Sequence, residues 1–374
     1  MFQKVIISFI FIYVAVFSGW VTNSFINSAQ NQNIEVVTPA TTKQINSDKL
    51  VVETTATTTK TSKTQTMKPK PVVVMKKVEV PQVITITIPE PAPDFEKINT
   101  SAREATLNIL CTTKNSSLSP ISGTGIVISS DGLILTNAHV AQYFLLRDLY
   151  QKDFIECVVR TGSPAYPRYH VELVYISPTW VEANKTVIKS QDPIGTGERD
   201  YAFLRITDSI DGGALPVFSY LPPNTREKIN LNEPVVLVSY PAGFLGGLTI
   251  LQDLSVTSAI TSIQDVFTFK ENTIDIVAVG GTVISQKGAS GGAVVDKNSS
   301  LVGIISTSST GDTTSSRDLN AITLAYINRS LQNEINMTLS QFLSQDIVSF
   351  AKNFQETKAP ALTKILTDEI IRGQ

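Results

Sequence analysis

The sequence predicts an all-β domain of two packed six-stranded antiparallel β-barrels. An N-terminal hydrophobic helix and a disordered spacer precede it, and a short helical tail follows. Three observations carry this expectation. Short β-patterned runs fall into two sets of about six, separated by turn residues. Few helical periods interrupt either set, which favours barrels over alternating α/β layers. The texture of the chain changes at both ends of residues 99–335.

The N-terminal element is apolar. Lys4 precedes a run from Val5 to Val21 broken only by Ser8, Ser18 and Gly19. As a helix this run would reach about 25 Å at 1.5 Å per residue, against a bilayer core of about 30 Å. Trp20 stands where interfacial aromatic residues sit. The uninterrupted stretch Phe9 to Phe17 also fits the apolar region of a secretory signal. Residues 1–21 are therefore read as a signal peptide or a membrane anchor, and either sends the rest of the chain out of the cytoplasm. Residues 22–98 are rich in Thr and Lys and carry Pro69, Pro71, Pro81, Pro89, Pro91 and Pro93. Little there offsets the entropy of ordering, so a disordered linker is expected. Within it, Val83 to Ile88 alternates like a strand.

Barrel one is expected over about 101–220. Its candidate strands are Leu107 to Thr112, Gly125 to Ser129, Leu133 to Thr136, Phe154 to Thr161, Val171 to Ile176 and Tyr201 to Ile206. Asp131-Gly132 joins two of these as a hairpin turn. A long polar insertion, Ile176 to Gly197, interrupts the set. Barrel two is expected over about 231–328, from Pro234–Tyr240, Leu254–Ile263, Ile274–Val279, Ala293–Asp296, Leu301–Thr307 and Ala321–Ile327. In the tail, 336–374, the residues Leu343, Ile347, Phe350, Ala351 and Phe354 share one helical face. Pro360 should end that helix, and Leu362 to Ile371 should form another.

Composition narrows the function. A net charge of −2 gives no field for nucleic acid. Two histidines, His139 and His170, and two cysteines, Cys111 and Cys157, are too few for the usual Cys/His zinc site. No metal or cofactor is expected. His170, in Tyr169-His170-Val171-Glu172, has a strand context and reads as structural. Gly243-Phe244-Leu245-Gly246-Gly247 lacks the Lys-Ser/Thr of a phosphate loop and reads as a tight turn.

Three segments bear chemistry. Thr136-Asn137-Ala138-His139-Val140 follows a strand. Arg199-Asp200-Tyr201-Ala202 opens one. Gly288-Ala289-Ser290-Gly291-Gly292 sets a serine among glycines just before another. A serine hydroxyl is a weak nucleophile that needs a base. Imidazole suits that task near neutrality, and a carboxylate fixes its tautomer. His139, Asp200 and Ser290 are the candidate triad, and the amides of Gly288 and Ser290 the candidate oxyanion hole. His139 and Asp200 fall in the first strand set and Ser290 in the second, so the site should lie between the barrels. The order His, Asp, Ser is that of the chymotrypsin fold.

The run Ser122-Gly123-Thr124-Gly125 through Leu135 to Val140, with Asp200 to Leu204 and Gly288 to Gly292, resembles the trypsin-like peptidases of the HtrA/Deg type. The resemblance covers about residues 101–335. It implies a double-barrel serine endopeptidase acting on polypeptides outside the cytoplasm without a cofactor. It further implies that Ile284 and Thr307 line the primary specificity pocket, although Ile284 also reads as barrel core. In such folds the strands of Cys111 and Cys157 are neighbours, so the resemblance allows either a cross-strand disulfide or two buried thiols. Three departures stand out. The residues past Asn328 read as helical, where the family usually continues into a PDZ domain. The insertion precedes Asp200. Ala289 replaces the Asp or Asn usual before the nucleophile. The alternative reading is a catalytically silent binding or chaperone module on a membrane tether.

Overall fold

The computed structural model describes residues 92–114, 118–190, 196–270, 272–308, 313–314 and 317–372. All of them belong to the second of the chain's two units, Thr85–Gln374. The expected anchor and most of the expected linker lie outside the described residues. The linker ends earlier than its composition implied. Asp94 accepts a hydrogen bond from the Lys97 amide at 3.0 Å and caps a helix, α1, Phe95–Glu104. Only Ile98 and Ala102 of that helix are buried, too few apolar residues to show a period in the sequence.

Six strands form a closed antiparallel barrel: β1 Thr106–Thr113, β2 Ile121–Val127, β3 Leu133–Thr136, β4 Ile155–Thr161, β5 Tyr166–Ile176 and β6 Ala202–Ser209, in the order β1-β2-β3-β6-β5-β4. Gly132, at φ 88°, makes the β2–β3 turn that the Asp-Gly pair predicts. A short helix, α2 Ala138–Ala141, leaves the end of β3. The polar insertion is not structureless. Ser177 caps α3, Pro178–Asn184, and a 3₁₀ turn, Lys185–Lys189, comes next. Trp180, Val181 and Ile188 are buried there.

The second half departs from expectation. It is a seven-stranded sheet and not a closed six-stranded barrel, with β7 Pro234–Ser239, β8 Thr257–Ser262, β9 Asp265–Phe267, β10 Ile276–Ala278, β11 Ala293–Val295, β12 Leu301–Ser308 and β13 Leu319–Thr323, in the order β8-β7-β11-β12-β13-β10-β9. Its two edges, β8 and β9, are consecutive in the chain. Between them the Ile263 amide bonds Glu233 O at 3.0 Å and the Gln264 amide bonds Ala278 O at 2.8 Å. One bent run therefore serves both edges, and the sheet curls into a half-barrel without a closing ladder. A short helix, α4 Gly247–Gln252, interrupts the β7–β8 connection.

The expected strand Ala321–Ile327 is cut in two. Thr323 accepts the Tyr326 amide at 3.0 Å, an N-cap, so β13 stops and α5, Leu324–Ile335, begins. The helices α6 Leu339–Leu343, α7 Ile347–Thr357 and α8 Ala359–Ile371 complete the tail. They pack on the closed barrel: Phe342 meets Phe203 at 4.6 Å between ring centroids, and Phe354 meets Tyr175 at 5.6 Å. The Gln355 amide also donates to Leu173 O at 2.6 Å. The insertion and the tail meet as well, through Lys189 and Glu369 at 2.6 Å. Trp180 and Ile188 of the insertion share one apolar core with Leu362, Leu366 and Ile370 of the tail.

Candidate active site

The site grows from the end of β3. Asn137 donates its side-chain amide to Asp200 O at 2.8 Å and so ties the start of α2 to the segment entering β6. Two residues on, the His139 amide donates to Asp200 Oδ1 at 2.9 Å, and His139 Nδ1 lies 2.8 Å from Asp200 Oδ2. Ser306 on β12 donates its hydroxyl to the same Oδ2 at 2.8 Å. The side chains of His139 and Asp200 are 11% and 7% exposed. Burial alone would raise the Asp200 pKa, but the charge of His139 and the hydrogen bonds from His139 and Ser306 outweigh it and hold the carboxyl below the usual range. An ionised carboxylate on Nδ1 fixes the imidazole with Nε2 free to accept a proton.

Ser290 sits half-buried on the loop entering β11. The loop is pinned through its carbonyls. Arg317 Nη1 donates to Ser285 O at 3.2 Å and Thr124 Oγ1 to Gly288 O at 2.7 Å. The amides of Ala242, Gly292 and Thr124 donate to Lys287 O at 2.7 Å, Ala289 O at 2.9 Å and Ser290 O at 2.8 Å. In a trans peptide the N–H points opposite to the C=O. With Lys287 O turned to Ala242, the Gly288 N–H faces away from it. With Ala289 O turned to Gly292, the Ser290 N–H does likewise. Neither amide donates to another backbone carbonyl among the described residues. Two glycines make this possible. Gly288 has φ 90°, and a Cβ there would lie 2.6 Å from Tyr240 O. Gly291 has φ 83°, and a Cβ there would lie 2.0 Å from Thr124 O. Thr136, three residues before His139, borders the same spot at 2.6 Å, so the backbone next to Ser290 packs against the strand that leads to His139. Among the described residues no hydrogen bond joins Ser290 Oγ to His139. Such contacts are often loose before substrate binds.

Residues 123–304 match the family model of the trypsin-like peptidase domain. This chain carries a trypsin-like peptidase domain. No curated protein matches it. Among solved structures it is similar to the HtrA-type protease AlgW with tripeptide, at 18% identity and a TM-score of 0.40, over 66% of this chain and 65% of that one. It is similar to a Ser-to-Ala form of AlgW with tripeptide at the same identity and score, over 65% and 64%. The chain thus spans a little under two thirds of the length of either.

Within the peptidase domain the residues that sequence reasoning singled out have different settings. Ile284 is fully buried in one apolar cluster with Val277, Val279 and Ala289 of the open sheet. Thr307 lies on β12, with its side chain outside the described ones. His170 is on β5, half-exposed, 3.9 Å from Asp208. Cys111 and Cys157 face each other across β1 and β4 and form a disulfide. Ala289 is 1% exposed in an apolar core. Sequence reasoning missed Asn137, Ser306 and the hydroxyl of Thr124. The only mark of Ser306 was a polar residue at the end of the apolar run Leu301 to Ile305.

Proposed function

We propose that the chain is a serine endopeptidase acting through an acyl-enzyme. His139 Nε2 takes the Ser290 proton as Oγ attacks the peptide carbonyl, and then returns it to the leaving amine. Asp200 holds the imidazole and stabilises its cation. The amides of Gly288 and Ser290 receive the oxyanion. The observation that carries this reading is the 2.8 Å contact of His139 Nδ1 with a buried, ionised Asp200, because a carboxylate on Nδ1 leaves Nε2 as the proton acceptor that a serine nucleophile needs. Polypeptides are the proposed substrates. We assign residues 1–21 to export or tethering, which places the domain outside the cytoplasm. A disulfide between Cys111 and Cys157 suits an oxidising compartment. Among the described residues no helix is long and apolar enough to cross a membrane.

A silent binding module is the second reading, favoured by the absent His139–Ser290 hydrogen bond. Hydrolysis of an unfolded protein by the purified chain separates the two. Turnover by the wild type and its loss in Ser290→Ala support the endopeptidase. Equal rates in both would overturn it.

A further inference from the structure

Asp200 is gripped on both flanks by one helix of the tail side. Arg199, just before it, sits in the left-handed region at φ 57°, a conformation that a non-glycine residue holds only when its surroundings impose it. Its amide donates to the Tyr326 hydroxyl at 3.1 Å, and its Nε lies 3.2 Å from Glu334 Oε1. Tyr201, just after it, donates its hydroxyl to Ser330 Oγ at 3.0 Å. Tyr326, Ser330 and Glu334 lie on successive turns of α5.

Glu334 is the hub. Its side chain is 10% exposed. Oε2 accepts the Tyr175 hydroxyl at 2.5 Å, and Oε1 accepts the Ser177 hydroxyl at 2.7 Å. Burial, with Tyr201 and Glu334 nearby, pushes the Tyr175 phenol far up, so it remains a donor. Glu334 therefore joins three pieces: the end of β5 with the start of the insertion, the segment before Asp200, and the helix that leads into the tail. It lies outside the matched range 123–304. Glu198 also pairs with Arg199, at 2.6 Å, but from a more exposed position.

We propose that Glu334 is a positioning residue for Asp200: by holding Arg199 in its left-handed turn, it sets the carboxylate against His139 Nδ1. In this chain the α5 helix would then be part of the catalytic geometry and not an appendage. The inference rests on the endopeptidase reading above.

The test uses the full chain as Glu334→Gln, Arg199→Met, Arg199→Lys and the double variant Glu334→Gln/Arg199→Met. Each is read by steady-state kinetics on a fluorogenic peptide, by thermal unfolding and by the downfield proton resonance of the His139 Nδ1–H···Asp200 bond. A displacement near 1 Å costs up to about a hundredfold in rate. Glu334→Gln should therefore lower kcat by about ten- to a hundredfold with KM within about twofold, and should broaden or shift the resonance. Arg199→Met should match it, Arg199→Lys should recover most of the rate, and the double variant should be no worse than the worse single one. Wild-type kcat in Glu334→Gln would overturn the proposal. So would a loss that only tracks unfolding while the resonance stays unchanged. If the wild type proved inert, the endopeptidase reading would fail, and the resonance, which needs no turnover, would still decide the link from Glu334 to Asp200.

Discussion

Thr124 on the closed barrel donates its hydroxyl to Gly288 O at 2.7 Å and accepts the Tyr240 amide at 3.0 Å. One side chain of the first barrel thus holds both the peptide of the oxyanion loop and the strand beneath it. Thr124→Val keeps the shape and leaves both buried partners unpaired, each at about 1–3 kcal/mol. We expect urea unfolding to show at least that loss, with a fall in kcat, and Thr124→Ser to retain wild-type values. An unperturbed Thr124→Val would remove this residue from the account.

Ser306 supplies a hydrogen bond to a buried carboxylate. The Asp200 pKa lies below its ordinary value, which is about 3.9 in an unfolded chain. Its ionisation therefore stabilises the fold above that value, and the contribution is lost as pH falls through the folded pKa. Ser306→Ala moves the folded pKa up. Stability near neutral pH should drop by about 1.5–3 kcal/mol, and less should remain to be lost on acidification. Unfolding free energies from about pH 7 to about pH 2 check this; parallel curves for variant and wild type would contradict it.

The disulfide closes a separation of 46 residues. By chain entropy it stabilises by roughly 4 kcal/mol at most. Alkylation of the unfolded, unreduced chain should add no mass, and reduction should lower the unfolding temperature. Two alkyl groups without reductant would show free thiols instead.

Ala289 cannot form the ion pair by which an acidic residue captures a new N-terminus. It is buried among Ile284, Val277 and Val294, and the loop carbonyls are already held by Arg317, Ala242 and Thr124. A chain starting at Ala92, which keeps the Asp94 cap of α1, should be active whatever residue precedes it. Activity that appeared only after one defined cut would show a different loop mechanism.

How much of the fold is legible in the sequence depends on where the information lies. The Asp131-Gly132 turn and most strands of the closed barrel are local patterns, and these are legible. His139 and Asp200 stand out by residue type and setting, and in the fold they meet. The open edge of the second sheet is not legible, because the bend at Ile263–Gln264 depends on Glu233 and Ala278, which are distant in sequence. The stop of β13 at Thr323 rests on one hydroxyl turned to the Tyr326 amide, inside a run apolar enough to read as strand. Ser306 shows in the sequence only as a polar residue closing an apolar run, and Glu334 has no local signal, since their roles come from partners 106 and 159 residues away.

The central claim is that Ser290 is an activated nucleophile. Its most direct test is reaction of the full chain with a fluorophosphonate, followed by peptide mapping of the adduct by mass spectrometry. The account predicts one phosphonyl group per chain, on Ser290, lost in Ser290→Ala and strongly slowed in His139→Ala. Absence of labelling in the folded wild type, or an adduct on another residue, would contradict it.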